Sequence, residues 1–199
     1  VKGMGDAFYN SSYEPWSASI TGTRGVDPGY DVLKFMIDEA HARDIEFHAW
    51  MNPYRIATRS GISSGFPALH PSVSADWVLD FPTIRIYNPA LPEVQKRLVD
   101  IVKETITRYD VDGIHFDDYF YPYTETNQKL RDEDTFRKYS NGFKNIEDWR
   151  RYNVDMVVKN VSEAIKREKP KVKFGISPSA VWRNASTDPI GSATQGGQP

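Results

Sequence analysis

The chain has 199 residues, which is enough for one sizeable core, and nothing in its length requires a second domain. Its formal net charge of −2, without any Lys/Arg block, argues against a nucleic-acid-binding surface, and no apolar run is long enough to span a bilayer. The absence of cysteine excludes disulfides and thiolate metal sites, whereas five Trp, eleven Tyr and ten Phe suit a sugar-binding protein.

The two ends of the sequence look like interior positions of a longer protein. Residues 5–9 resemble the end of a strand, and neither a methionine nor a signal peptide precedes them. The last residues, 195–199, form a Gly-rich loop with no closing element. We therefore expect the sequence to be a piece of a longer chain.

Helical and strand-like patterns alternate along the sequence. Apolar residues at helical spacing predict three helices, over residues 31–43, 92–109 and 146–168. Short apolar or alternating runs predict three strands, over residues 45–51, 113–118 and 172–177. Strands that alternate with helices predict an α/β fold with a parallel sheet.

The long irregular stretches all follow predicted strands, and none follows a helix. The largest covers residues 52–91 and is rich in Ser, Gly and Pro, which favours a functional loop. This asymmetry is typical of a (β/α)8 barrel, whose active site lies on the loops after the strands. A doubly wound sheet would show the same asymmetry, so the pattern alone leaves both architectures open.

The segment GIHFDDYFYP, residues 113–122, is the most informative stretch. It reads as a buried strand that ends in two adjacent carboxylates, Asp117 and Asp118, which repel each other and are costly to bury. Side chains alternate along a strand, so His115 and Asp117 point away from the helices. We therefore predict Asp117 and Asp118 as catalytic residues of a site at the strand ends.

Polar and aromatic residues near the other strand ends are the candidate substrate contacts. They are Asp6, Tyr13, His48, Trp50, Asn52, Tyr54, Arg55, His115, Tyr119, Tyr121, Ser177 and Trp182. Each also has a structural interpretation. The histidines could be hydrogen-bonded core residues, the aromatic rings could fill the core, and Asp6 could pair with Arg55.

Four long motifs resemble the glycosyl hydrolase-like 10 family. They are GDAFYNSSYEPW, YDVLKFMIDEAHARDIEFHAWMNPYR, GIHFDDYFYP and FGISPSAVWRN, and they occur in the family's order. The resemblance implies a TIM-type (β/α)8 barrel, of which this chain covers roughly the second to fifth βα units. Residues 1–199 would then be part of a single barrel domain that is truncated at both ends.

The same resemblance implies glycoside hydrolysis of a bacterial cell-wall or related polysaccharide, with a polysaccharide or oligosaccharide as partner. It implies no cofactor, no metal and no nucleic acid. The implied location is extracytoplasmic, either periplasmic, in the cell envelope or secreted. Membrane association is expected only through a lipid anchor outside this chain.

Two other functions fit the same residues. A metal-dependent hydrolase could use His48, His115 and Asp117 as ligands, although no tight local ligand motif is present. A carbohydrate-binding protein could use the aromatic residues without turnover. For hydrolysis, a second carboxylate must face the first, and adjacent strand residues point in opposite directions. The partner of Asp117 could therefore be Asp6 or a residue on a strand outside this chain.

Overall fold

The computed structural model describes residues 1–59, 65–117, 121, 130–178, 185 and 189–190. Within these residues the helices are α1 (Ala18–Thr21), α2 (Val32–His41), α3 (Pro92–Arg108), α4 (Glu133–Tyr139) and α5 (Ile146–Glu168). The strands are β1 (His48–Met51), β2 (Arg55–Thr58), β3 (Val78–Asp80), β4 (Ile84–Tyr87), β5 (Gly113–Phe116) and β6 (Lys173–Ile176). The three predicted helices and the three predicted strands are all present, with ends within three residues of the predicted ones.

The long helices begin at residues that favour a helix N-terminus. Asp31 accepts a hydrogen bond from the backbone N–H of Lys34 at 2.9 Å, and Asn145 accepts one from Glu147 at 2.9 Å. Helix α3 begins at Pro92, a position where the missing N–H has no partner in any helix. The capping side chains thus satisfy backbone donors that the first helical turn leaves unpaired.

Strands β1, β5 and β6 form a parallel sheet in that order, with β5 in the centre. Ala49, Ile114 and Phe174 lie side by side in the register, and their side chains face the core. Phe116 packs edge-on against Phe174, with 5.2 Å between ring centroids. The predicted orientation of Ile114 and Phe116 towards the helices is confirmed, since both are fully buried.

The N-terminal segment adds a third parallel pairing to this sheet. Lys2 pairs with Met51, and its backbone N–H donates to the carbonyl of Trp50 at 3.2 Å. The expected strand end over residues 5–9 is wrong in its position, because the pairing lies upstream at Lys2. Ala7 belongs instead to a loop, where its N–H donates to the carbonyl of Pro15 at 2.9 Å.

The stretch over residues 52–91, expected to be irregular, contains a second sheet. Strands β2, β4 and β3 form an antiparallel sheet in that order. The prediction failed here because the Ser, Gly and Pro residues of this stretch indicated a loop. Helix α4 lies in the other stretch without a predicted element, and its seven residues are too few for a helical period to stand out.

One hydrophobic core joins these elements. The apolar faces of α3 and α5 contribute residues such as Leu98, Val102, Val157 and Val161, all buried in the same cluster as Ile114. No helix among the described residues is both long and apolar enough to cross a membrane.

Candidate functional site

The second face of the parallel sheet, which we call the polar face, carries polar and aromatic side chains in rows. Each row takes one residue from each strand, because neighbours in the register of a parallel sheet point the same way. The lower row holds His48, Gly113 and Lys173. The middle row holds Trp50, His115 and Gly175. The upper row, one residue beyond the strands, holds Asn52, Asp117 and Ser177.

Asp117 lies at the carboxyl end of the central strand. Its backbone N–H donates to the carbonyl of Met51 at 3.1 Å, and the N–H of Ser177 donates to the carbonyl of Phe116 at 2.9 Å. The ladder therefore continues into the upper row, and Asp117 is half-buried there. Burial lowers the pKa of Arg55, and the charge of Asp117 opposes that shift, so the two groups lie within electrostatic range.

Trp50 offers an aromatic surface in the middle row. Its side chain is 38% exposed, and it stands beside His115 in the register. The ring lies against Gly3, where an added Cβ would come within 3.4 Å of it. An exposed indole held in this way can stack on the apolar face of a sugar ring.

The lower row is joined by an ionic network. His48 Nε2 lies 3.1 Å from Glu46 Oε2, and both Glu46 oxygens accept from Lys173 Nζ at 2.7 Å. Lys173, and to a smaller extent His48, lowers the pKa of Glu46. The lower row is four residues below Asn52, a distance of about 13 Å along a strand. His48 is therefore tied to Glu46 at the opposite end of the strands from Asp117.

Three of the predicted contacts have buried side chains or buried polar atoms. Asn52 is buried, and its Oδ1 accepts from the backbone N–H of Arg55 at 3.0 Å. Tyr54 is 1% exposed, and burial raises its pKa strongly. The hydroxyl of Tyr121 is also buried, and burial raises its pKa well above the ordinary range. The predicted substrate contacts of Tyr54 and Tyr121 would require these side chains to become accessible.

Asp6 and Tyr13 lie in a buried charge cluster. Asp6 is 9% exposed, and burial lowers the pKa of nearby Lys2, while the charges of Glu14 and Asp6 oppose that shift. Glu14 Oε1 lies 3.9 Å from Lys2 Nζ and 3.5 Å from Arg97. The Arg97 guanidinium stands 5.6 Å from the centre of the Tyr13 ring. Buried charges of this kind are retained when they are paired, which gives the cluster a structural role.

Some of the predicted site residues cannot be compared with the structure. Asp118, Tyr119 and Trp182 lie outside the described residues, so their roles stay predictions. The ion pairs that the described residues form do not include one between Asp6 and Arg55. The charge of Asp6 instead acts on Lys2, where it opposes the lowering of the Lys2 pKa by burial.

Sequence reasoning missed the glycines and the charged pair of the polar face. Gly113 makes room for the His48 ring, because an added Cβ would lie 2.7 Å from Nδ1. Glycine inside a strand pattern signals such a close approach, and this signal was readable in GIHF and KFGI. The Glu46–Lys173 pair had no such signal, because it joins positions 127 residues apart.

Groups of three or more His, Asp or Glu side chains that could hold a metal ion do not occur within the described ranges. The proposed ligands His48 and Asp117 belong to rows about 13 Å apart along the strands, whereas metal–ligand bonds measure about 2 Å. The rows of His48 and Asp117 are therefore too far apart for both side chains to bind one ion.

Residues 1–195 match the family described as Glycosyl hydrolase-like 10. Glycosyl hydrolase YngK of Bacillus subtilis (strain 168) is 47% identical over 203 residues, which cover 99% of this chain and 39% of that protein. Glycosyl hydrolase DigH of Escherichia coli (strain K12) is 45% identical over 206 residues, which cover 98% and 46%. The chain thus spans less than half the length of these curated relatives.

A solved structure shares the fold. Alpha-L-fucosidase isoenzyme 2 from Paenibacillus thiaminolyticus superposes with a TM-score of 0.56 and 14% sequence identity, over 94% of this chain and 28% of the fucosidase. At that identity the likeness concerns the fold alone. The match over residues 1–195 and the relatives at 45–47% identity confirm the resemblance of the four motifs, and the chain belongs to the glycosyl hydrolase-like 10 family.

Proposed function

We propose that this chain forms part of a (β/α)8 barrel glycoside hydrolase, and that Asp117 is one of its two catalytic carboxylates. The observation that carries the proposal is the position of Asp117 at the carboxyl end of the central parallel strand, above a face with an exposed Trp50. Barrel enzymes carry their active sites at this end of the strands. The family supports this reaction class, and the likeness to the fucosidase structure supports the fold.

The proposed chemistry needs two carboxylates on opposite sides of the scissile bond. One donates a proton to the leaving oxygen, while the other attacks the sugar carbon or activates a water. Asp117, which is half-buried and within electrostatic range of Arg55, is the carboxylate that we assign to the attack on the sugar carbon or to the activation of a water. Asp118, which adjoins it, or a carboxylate on a strand outside this chain supplies the acid. Asp6 is a weaker candidate because it is buried beside Lys2.

The substrate we propose is a glycan strand of the bacterial cell wall, which the protein meets outside the cytoplasm. The exposed indole of Trp50, one row below Asp117, offers a face on which a sugar ring can stack. The test is product release by the intact protein from peptide-free peptidoglycan strands, with chitin and a plant polysaccharide as alternatives. Release from the peptidoglycan strands alone is the expected result.

The first prediction concerns the Asp117→Asn variant of the intact protein. It should lose at least about a hundredfold in kcat, because a charge needed in the reaction is removed. Glycan binding and melting temperature should stay close to those of the wild type. Asp155→Asn is the matched control, since Asp155 is exposed on α5 and the same chemical change there should leave turnover unchanged.

Two outcomes would contradict parts of this proposal. If Asp117→Asn retains ordinary rates, Asp117 only positions the substrate, and Asp118 or Asp6 takes the catalytic role. If the wild type binds the glycan strands but releases no product from any of the polysaccharides, the protein is a carbohydrate-binding member of the family.

A further inference from the structure

The imidazole of His115 rests on the neighbouring strand. A Cβ added at Gly175 of β6 would lie 3.3 Å from His115 Nδ1 and 4.0 Å from Cε1. A contact of 3.3 Å is tighter than nine in ten real Cβ contacts, so a side chain at position 175 would displace the ring by a few tenths of an ångström. Glycine at position 175 therefore allows the ring to take its present position without displacement.

The same strand also holds the other end of the ring. His115 Nε2 lies 2.7 Å from the hydroxyl oxygen of Ser177, which is a short hydrogen bond. Ser177 stands two residues after Gly175, on the same face of β6. One strand thus provides both a gap for the ring and a hydroxyl for its nitrogen, and both ring nitrogens lie towards β6.

This hydrogen bond lies beside the predicted catalytic carboxylate. Ser177 and Asp117 are neighbours in the upper row, because the N–H of Ser177 donates to the carbonyl of Phe116 at 2.9 Å. Adjacent parallel strands are about 4.8 Å apart, so the hydroxyl is within reach of a sugar that contacts Asp117. Ser177 is exposed, and a hydroxyl has one donor and two acceptor sites, of which His115 uses only one.

We propose that Gly175 and His115 are positioning residues that orient the Ser177 hydroxyl towards a hydroxyl group of the substrate beside Asp117. This inference rests on the proposed glycoside hydrolase function. The arrangement works as a chain of contacts: the missing Cβ of Gly175 admits the ring, the ring nitrogen holds the hydroxyl, and the hydroxyl contacts the sugar. A substitution of Gly175, His115 or Ser177 should therefore disturb the same contact with the sugar.

A double-mutant cycle in the intact protein tests the chain of contacts. Gly175→Ala and His115→Ala should each lower kcat/KM about tenfold, because small displacements near reacting groups cost large factors in rate. In the His115→Ala background, Gly175→Ala should have no further effect, since the ring that it would displace is gone. Ser177→Ala should lower kcat/KM as much as Gly175→Ala or His115→Ala does. Ser177→Thr, which keeps a hydroxyl, should retain most of the wild-type activity.

Gly65→Ala is the control for adding a methyl group to a glycine. None of the described residues lies within 4 Å of a Cβ at position 65, and the backbone conformation there does not require glycine, so this variant should behave as the wild type. Equal losses from Gly175→Ala with and without the His115 ring would overturn the proposal, because the alanine would then act through the fold.

A second measurement keeps the inference separate from the proposed activity. The imidazole 15N chemical shifts of His115 report which nitrogen is protonated and whether it is hydrogen-bonded. They should change in Gly175→Ala and in Ser177→Ala, and stay as in the wild type in Gly65→Ala. If the intact protein hydrolyses no glycan, shifted signals still support the positioning. Unchanged signals in both variants refute it, whatever the activity of the protein.

Discussion

At the residue scale, the hydroxyl groups of two buried tyrosines differ in their hydrogen bonding. Tyr9 is buried with its hydroxyl 3.1 Å from Thr105 Oγ1, and Thr105 donates its own proton to the carbonyl of Ile101 at 3.0 Å. The Tyr9 hydroxyl is therefore the donor to Thr105. Tyr54 is equally buried, but its hydroxyl has no hydrogen-bond partner among the described residues. A polar group buried in this way costs free energy that a phenyl ring would not.

We expect opposite effects on stability from Tyr54→Phe and Tyr9→Phe. Tyr54→Phe should raise the free energy of unfolding, or leave it unchanged, because it removes an unpaired hydroxyl with a desolvation cost of about 1–3 kcal/mol. Tyr9→Phe should lower it by about 1 kcal/mol through the lost hydrogen bond. Urea denaturation of both variants and the wild type measures these changes in the free energy of unfolding. A Tyr54→Phe variant that is less stable than Tyr9→Phe would mean that the Tyr54 hydroxyl has a bound water or another partner.

At the element scale, the carboxylate of Asp112 joins three parts of the fold. His41, the last residue of α2, lies with Nε2 2.8 Å from Asp112 Oδ2, and the backbone N–H of Phe47 donates to the same oxygen at 2.7 Å. Asp112 itself directly precedes β5. The hydrogen bond that His41 donates to Asp112 raises the pKa of His41, and His41, followed by the N–H of Phe47, lowers the pKa of Asp112. The end of α2 is thus tied to the starts of two neighbouring strands.

This pair makes stability depend on pH in a defined direction. Because the folded pKa of His41 is raised, its contribution to the free energy of unfolding is fully present below the ordinary pKa of 6.5. That contribution is lost as pH rises through the folded pKa. Because the folded pKa of Asp112 is lowered, its contribution to the free energy of unfolding is fully present above the ordinary pKa of 3.8. That contribution is lost as pH falls through the folded pKa.

We therefore expect the difference in unfolding free energy between the wild type and His41→Asn to be largest between about pH 4 and pH 6.5, and to shrink at higher pH. Urea denaturation across pH 4–9 measures this difference, in which the titrations of other groups cancel. In an Asp112→Asn background, the His41 substitution should lose this pH dependence. A flat difference from pH 5 to pH 9 would show that the pair is not formed in solution.

At the scale of the whole molecule, the parallel sheet has an unpaired edge and an uncovered face among the described residues. Within the described residues, β6 pairs only with β5, and its Ile176 is 40% exposed although it lies on the side of the core. The polar face has no opposing layer among these residues, so His48 and Trp50 are exposed. An open parallel edge beside apolar side chains invites pairing with another chain. In a closed barrel both surfaces would be covered by further strands.

We expect residues 1–199, produced alone, to self-associate, and a chain extended by the further strands of the proposed barrel to be monomeric. The physical reason is the unpaired β6 edge and the exposed side chains beside it. Light scattering after size-exclusion chromatography, over a tenfold range of concentration, measures the mass of each. A stable monomer of 22.7 kDa would mean that this part of the fold stands alone.

The sequence by itself determined the local elements, because their patterns are local. Apolar residues at helical spacing, with Asp31, Pro92 and Asn145 at the starts, were enough for the three long helices. Alternation within GIHF was enough to orient Ile114 inwards and His115 outwards. The motifs GIHFDDYFYP and FGISPSAVWRN were enough for the family. Each of these inferences uses residues that are close together along the chain.

Only the tertiary structure decided which of the candidate residues share a surface. Strand register separated His48 from Asp117, and it brought Ser177 beside Asp117, across 60 positions of sequence. Packing of the chain around Lys2 buried Asp6, and core packing buried Tyr54. The physical reason is that contacts between distant segments depend on the register of strands and on the volume that the core leaves free. A single sequence shows neither of these quantities.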